Sequence, residues 1–438
     1  MSLLSLWQAT VRRDPAAPAI CHCEKIWSRR QVDELARGWS ALAQRAGRGR
    51  APPFAHRAIF FSEPNGPAWF ERFLGILYLG AIPAPLDPGE PAGVQRAIAR
   101  SAGAAAYASA AGLEPVTGAR VRRWAAELIK TTSGSVGRPR TLGFSADQMR
   151  ADGRQIMQTM GIGPQDRNYA VIPLGHSYGL GNLVMPFIAS GTALVCSAAS
   201  VPHGWAREIR ALQPTVFPAV PPVLAALAES DVAADELASL RVVISAGSPL
   251  EPAIAARFLQ RFGRRVHNFY GSSETGGISY DRTGECTLSG RSVGRPLRGV
   301  RLRFGAGGRF AVESAAVAGG AFRPADRGAL NPQGELVLLG RTGRTVKLAG
   351  RRVDLAEVEQ ALRRVPGVSG AAVIQPTGGR GLAAAVTGST ALSGRTLATA
   401  LQPALAAWKI PRRWQILDRF PVNARGKIDA RALRQLFA

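Results

Sequence analysis

A chain of 438 residues with 46% hydrophobic content is too long for one compact core and too apolar for a disordered protein, so it predicts two to four globular domains. The formal charge of +25 permits contact with nucleic acid or a membrane surface, but only five of the 55 basic residues are lysine, and the arginines are scattered with no long basic run. That distribution argues against nucleic-acid binding and leaves a surface suited to steering small acidic partners.

Cys21, Cys23, Cys196 and Cys286 follow no disulfide framework, and no charged start with a signal-type apolar core opens the chain. A reducing, cytoplasmic location is expected. Cys21-His22-Cys23 lacks a second pair of metal ligands nearby and reads as a buried strand. The longest weakly polar run, 183–199, is broken by Pro186 and Gly191, so it predicts buried core and no membrane span.

In chain order, residues 1–15 predict a surface helix carrying Leu3, Leu4, Leu6, Trp7 and Val11, followed by short strands at 19–23 and 26–28 and an amphipathic helix at 30–46. Strands at 58–61, 81–85 and 105–107 then alternate with helices at 67–79 and 91–101. After a glycine-rich turn come a helix at 146–160, a strand at 169–173, a helix or packed hairpin from Gly181, and a strand at 193–196. Helices at 205–212, 221–228 and 252–262 then alternate with strands at 215–217, 240–245 and 266–270. Strand and helix in alternation imply mostly parallel sheets with helices on their faces, and ligands sit at the strand ends of such sheets. Residues 286–339 turn to short strands. From 343 a hairpin at 345–353, helices at 355–365 and 397–409, strands at 369–375, 381–387 and 414–417, and a terminal helix from Ala430 make a small α+β unit. The expected fold class is α/β. Residues 1–342 form a large domain of two mostly parallel α/β subdomains with a β-rich subdomain at about 286–342, and 343–438 form a second domain.

Four stretches stand out chemically. Thr131-Thr132-Ser133-Gly134-Ser135-Val136-Gly137-Arg138-Pro139-Arg140 lies between two short strands, and such a turn offers successive backbone N–H groups and hydroxyls to an anion. It is not the GxxxxGK[ST] loop, because its glycines are three apart and no lysine follows the second. Gly175-His176-Ser177-Tyr178-Gly179 sets a histidine in a glycine-rich turn past a strand. Ser245-Ala246-Gly247-Ser248-Pro249-Leu250 joins a strand to a helix N-terminus with residues small enough for a ligand to approach, or simply makes a tight turn. Asn268-Phe269-Tyr270-Gly271-Ser272-Ser273-Glu274 presents an aromatic face, hydroxyls and a carboxylate at a strand end.

These stretches, with Gly294-Arg295-Pro296-Leu297-Arg298-Gly299, Ala325-Asp326-Arg327-Gly328, Gly340-Arg341, Val346-Lys347-Leu348-Ala349-Gly350 and Arg425-Gly426-Lys427-Ile428-Asp429, resemble in order the motifs of the adenylate-forming enzymes over nearly the whole chain. That family comprises acyl-CoA synthetases, nonribosomal-peptide adenylation domains and luciferases. The resemblance implies an ATP-dependent acid–thiol ligase and assigns roles. Thr132, Ser133, Gly134, Ser135, Gly137 and Arg140 would hold phosphates. Ser248, Tyr270, Gly271, Asp326 and Arg341 would hold the rest of ATP, with Tyr270 on the adenine face and Asp326 on the ribose hydroxyls. Ser273 would donate to the α-phosphate, and Glu274 would hold Mg²⁺. His176, Ser245, Ala246, Gly247, Gly271 and Ser272 would line the acid pocket, with no acid beside His176 in sequence to greet an amino group. Lys427 would bridge the developing charge of adenylation. Gly343 and Arg344 would form the hinge of a mobile C-terminal domain, and Lys347 and Gly350 a loop facing a pantetheine thiol of coenzyme A or an acyl carrier protein.

Departures accompany the likeness. Val136 stands where the family has a second hydroxyl, Arg140 where it has a lysine, and Gly343 where it has an aspartate. They leave room for a non-catalytic nucleotide-binding or scaffold member of the same fold. The small, apolar pocket stretches suit an aromatic acid or a fatty chain alike.

Overall fold

The computed structural model describes residues 1–46, 54–132, 140–341, 345–348, 351–376, 381–389, 391–422 and 428–437. The central feature is a nine-stranded sheet, ordered Arg295–Pro296, Gly276–Tyr280, Val266–Ser272, Val242–Ser245, Val216–Ala219, Arg167–Ala170, Ala193–Cys196, Pro18–His22 and Lys25–Ser28. The six strands from Val266–Ser272 to Pro18–His22 run parallel, and the edges close with antiparallel neighbours. A second sheet orders Ile82–Pro85, Ala58–Phe61, Ala106–Ser109 and Gly112–Pro115. The alternation of helix and strand in the sequence thus becomes the parallel α/β architecture it predicts.

Parallel strands covered on both faces need apolar side chains throughout, and Ala58–Phe61, Val216–Ala219 and Val242–Ser245 are buried along their whole lengths. Around the first sheet Trp7 stacks on Phe187 with ring centroids 5.0 Å apart, and Trp69 stacks on Phe73 at 4.9 Å. Helix limits follow local chemistry. Helix Ala146–Met160 opens with a capping box of Ser145 and Gln148 and stops at Gly161 in the left-handed region. Helices Pro202–Leu212, Pro221–Glu229 and Pro252–Phe262 each begin at proline, whose missing N–H costs nothing at that position.

Several expectations change. Residues 171–173 are not strand, because strand Arg167–Ala170 ends before the 173–176 turn. The segment expected from Gly181 is helical and starts earlier, at Ser177, with a π-helical turn at Leu180–Val184 before Met185–Ser190. Strands Gly112–Pro115 and Gly276–Tyr280 were not anticipated. The helix expected at 397–409 runs instead over Gly394–Leu401, and Pro403 lies just beyond its end. Beyond 343, the Val368–Ile374, Ala383–Gly388 and Arg413–Leu417 strands make a three-stranded sheet with its own core of Val358, Leu362, Val373, Val386 and Leu397. The chain is therefore a large N-terminal α/β domain followed by a smaller α+β domain.

Candidate functional site

The C-terminal ends of three adjacent parallel strands, Val216–Ala219, Val242–Ser245 and Val266–Ser272, bring Ala219, Ser245 to Ser248 and Tyr270 to Glu274 to one edge of the main sheet. The first two of these strands are tied to Arg167–Ala170 at their opposite ends. Asp166 accepts from Thr215 Oγ1 at 2.7 Å, from Arg241 Nε at 2.8 Å and from the Gly163 N–H at 2.9 Å, tying together the residues that enter three of the strands.

The Tyr270 to Glu274 stretch is shaped by close backbone approach. A Cβ on Gly271 would lie 2.4 Å from the Gly276 carbonyl oxygen, so only glycine fits. Ser272 Oγ lies 3.0 Å from Thr275 Oγ1 and accepts the Thr275 N–H at 3.3 Å, which folds Ser273 and Glu274 into a local turn. Ser273 and Glu274 are half-exposed there. The Glu274 carboxylate acts electrostatically on the buried Lys130 ammonium. The described residues contain no cluster of three or more His, Cys, Asp or Glu suited to a metal held by protein alone.

Two separate chain regions converge on Tyr270. Its hydroxyl donates to Asp326 Oδ2 at 2.8 Å, and Asp326 pairs with Arg341 across the antiparallel ladder of Asp326–Leu330 and Leu336–Arg341. An aromatic face, a carboxylate and an arginine position 71 residues apart in sequence at their extremes thus share one corner.

His176 occupies the N-cap position of the short helix Ser177–Gly179 without a side-chain cap bond, and its Nε2 meets Asp87 Oδ2 at 3.0 Å. The acid absent beside His176 in sequence is supplied in space by the end of the neighbouring sheet, which corrects the reading of that corner. Ser245 is buried, and its Oγ has no hydrogen-bond partner among the described residues. Ala246 is buried beside it, and Gly247 adopts φ +91. The Tyr178 hydroxyl donates to the Ile244 carbonyl at 3.4 Å and its ring lies 5.8 Å from Phe269, so this aromatic side chain packs against the strands that carry Ser245 and Tyr270.

The hydroxyl- and glycine-rich stretch is flanked by two antiparallel strands, Leu128–Thr132 and Arg140–Phe144, in which Thr132 pairs with Arg140. Arg140 is exposed at its base. Ser133, Gly134, Ser135, Val136 and Gly137 lie outside the described residues, as do Gly343, Arg344, Gly350 and Lys427. For Thr132, Arg341 and Lys347 the structure gives strand positions, Lys347 pairing with Arg352. Val422 and Ile428, on either side of Lys427 in sequence, form a bridge.

Beneath this hairpin sit two charges that sequence reasoning missed, Lys130 and Asp152. Burial pushes the Lys130 ammonium below the ordinary lysine value, against the pull of Asp152 and Glu274. Burial likewise raises Asp152, against Lys130 and the Gly277 N–H. The available signal was Lys130 itself, one of five lysines in an arginine-rich chain, on the core-facing side of a strand beside the turn. Asp87 carried a similar one, a carboxylate at the end of a parallel strand.

Comparison with known proteins agrees with this geometry. The AMP-binding enzyme family model matches residues 101–304, and that of the AMP-binding enzyme C-terminal domain matches 357–427. Among curated proteins, phenyloxazoline synthase MbtB of Mycolicibacterium paratuberculosis is 27% identical over 96% of this chain and 41% of its own length. The p-hydroxybenzoic acid–AMP ligase FadD22 of Mycobacterium tuberculosis is 29% identical over 69% of this chain and 48% of its own length. The chain thus spans less than half the length of either relative. The amide bond synthetase McbA from Marinactinospora thermotolerans has the same fold, with a TM-score of 0.80, 21% identity and full coverage of both chains. Two models of one family match in their natural order, and the fold is shared from end to end: the chain belongs to the adenylate-forming, AMP-binding enzymes.

Proposed function

We propose that this chain activates an organic carboxylic acid with ATP and passes the acyl group to a phosphopantetheine thiol. The observation that carries the reading is the corner where Tyr270, Asp326 and Arg341 meet beside the Glu274 turn, because it offers an adenine face and a ribose acceptor within reach of a metal carboxylate. Tyr270 covers the base, Asp326 accepts from the ribose hydroxyls, and Thr132 to Arg140 hold the β- and γ-phosphates. Glu274 would hold magnesium, which would supply neutralisation of the polyphosphate charge.

The acid lies between His176, Ser245 to Gly247 and Gly271-Ser272. One carboxylate oxygen attacks the α-phosphorus, and the bond to the bridging oxygen of the β-phosphate breaks. Pyrophosphate leaves with that electron pair. Ser273 donates to the α-phosphate, and Lys427 neutralises charge that develops between carboxylate and phosphate. No protein nucleophile is needed, since positioning and charge dominate such a displacement. In the second half the domain from 343 turns on Gly343 and Arg344, and a thiolate guided past Lys347 and Gly350 attacks the acyl carbonyl and releases AMP. Coenzyme A and an acidic acyl carrier protein are the two acceptors of that chemistry. The basic surface favours either.

The test is exchange of labelled pyrophosphate into ATP across aromatic, short, medium and long acids. Exchange should appear with one class of acid and fall by about 100-fold or more in Lys427→Ala, the scale of losing one donor at a developing charge. Absence of exchange with every acid, although ATP binds, would favour a nucleotide-binding role without catalysis.

A further inference from the structure

Lys130 stands in strand Leu128–Thr132, just ahead of the anion-binding turn, and is 1% exposed, while Asp152, in helix Ala146–Met160, is 2% exposed. The Lys130 Nζ lies 4.2 Å from the centroid of the Phe144 ring on the partner strand of the hairpin. Asp152 reaches the other walls. Its Oδ1 accepts the Gly277 N–H at 2.9 Å. Gly276, at φ +70, passes so close that a Cβ there would lie 2.2 Å from the same oxygen, and a Cβ on Gly181, in the π-helical turn after His176, would lie 3.2 Å from Oδ2. That second oxygen has no hydrogen-bond partner among the described residues.

One buried carboxylate therefore bonds the turn that follows Glu274 and lies against the helix that follows His176, and Lys130, buried in the strand that leads to residues 133–140, acts on it electrostatically. Apolar residues of similar volume would fill this space without the desolvation cost of two charges, so packing gives no reason for them. A fixed arrangement of the three walls does.

Resting on the nucleotide reading above, we propose that Lys130 and Asp152 are positioning residues for Mg-ATP. Asp152 holds the 272–277 turn at the height of the phosphate hairpin, and Lys130 balances the charge of Asp152 and Glu274 from behind, so that Glu274 presents its carboxylate to the metal in one geometry. Groups that orient a metal ligand are worth about 10- to 100-fold in affinity or activity.

The experiment measures ATP binding to the full chain by calorimetry across a Mg²⁺ titration, with thermal melting in parallel, for wild type, Lys130→Met, Asp152→Asn and the double variant. Each single change leaves a lone buried charge and should lower both melting temperature and affinity. The double change removes both charges. It should recover the melting temperature while needing about 10- to 100-fold more Mg²⁺ for half-saturation. A double variant with wild-type Mg²⁺ dependence would show the pair to be structural alone and overturn the proposal. Wild type that binds no ATP at any Mg²⁺ concentration would overturn the nucleotide reading and this proposal with it. Lys130→Gln with Asp152→Asn gives the same comparison should the methionine variant fail to fold.

Discussion

The 2.8 Å hydrogen bond from the Tyr270 hydroxyl to Asp326 Oδ2 joins two chain regions 56 residues apart. It holds the tyrosine ring and the Asp326 carboxylate together, the pair to which the proposed function gives the adenine and the ribose. A hydrogen bond to a charged group contributes about 1.5–3 kcal/mol. Asp326→Ala should therefore weaken ATP binding by about 10- to 100-fold, measured by calorimetry, with little change in melting temperature because the residue lies at a half-exposed strand end. Unchanged affinity would remove Asp326 from the ribose site. The sequence singles out Asp326 through the Asp326-Arg327-Gly328 stretch, as it does Tyr270 and Glu274 through theirs, and the structure brings Tyr270 and Asp326 together. Asp87 and Asp152 were not legible in it, because their meaning is spatial: Asp87 meets His176 across 89 residues and Asp152 meets Gly277 across 125. No local pattern announces a contact of that separation.

At the scale of elements, the site depends on strands only four residues long being held in register, and Asp166 holds three of them at their entry ends. Burial raises its pKa, but hydrogen bonds from Arg241, Thr215 and the Gly163 N–H outweigh burial and hold it below the ordinary aspartate value. A depressed folded value means that the stabilisation is complete above the unfolded value of about 3.9 and is lost as pH falls through the lower folded one. Melting temperature should therefore drop below about pH 4 in the wild type, and Asp166→Asn should be less stable at neutral pH with a shallower acid limb. Identical acid limbs would place the loss elsewhere. Most elements were legible because their ends carry chemical signals, such as Ser145 and Gly161 around helix Ala146–Met160. Strand Gly276–Tyr280 was hidden because Gly276-Gly277 reads as a turn. In the fold these glycines continue the ladder, at a place where Asp152 and Phe269 leave no room for a side chain.

At the scale of the whole molecule, the orientation of the two domains is recorded in contacts that cross the proposed hinge at 343. Gly340, at φ +109, packs so closely on the first turn of helix Leu355–Arg363 that a Cβ there would lie 2.3 Å from the Ala356 Cβ, and Arg419 reaches Glu229 of the large domain at 2.5 Å. The exposed ion pair contributes little. The glycine contact is different, because the proposed rotation about 343 would open it and a side chain at 340 would oppose it. In the proposed cycle the two half-reactions use two orientations, so a substitution that disfavours one orientation should slow the half-reaction that needs it and spare the other. Gly340→Ala is expected to do so, read by comparing pyrophosphate exchange with single-turnover transfer from preformed acyl adenylate to a thiol. Equal losses in both would mean that the alanine acts by straining strand Leu336–Arg341, since positive φ is costly for any side chain. A loss confined to exchange would assign the orientation seen here to adenylation, and a loss confined to transfer would assign it to thioester formation.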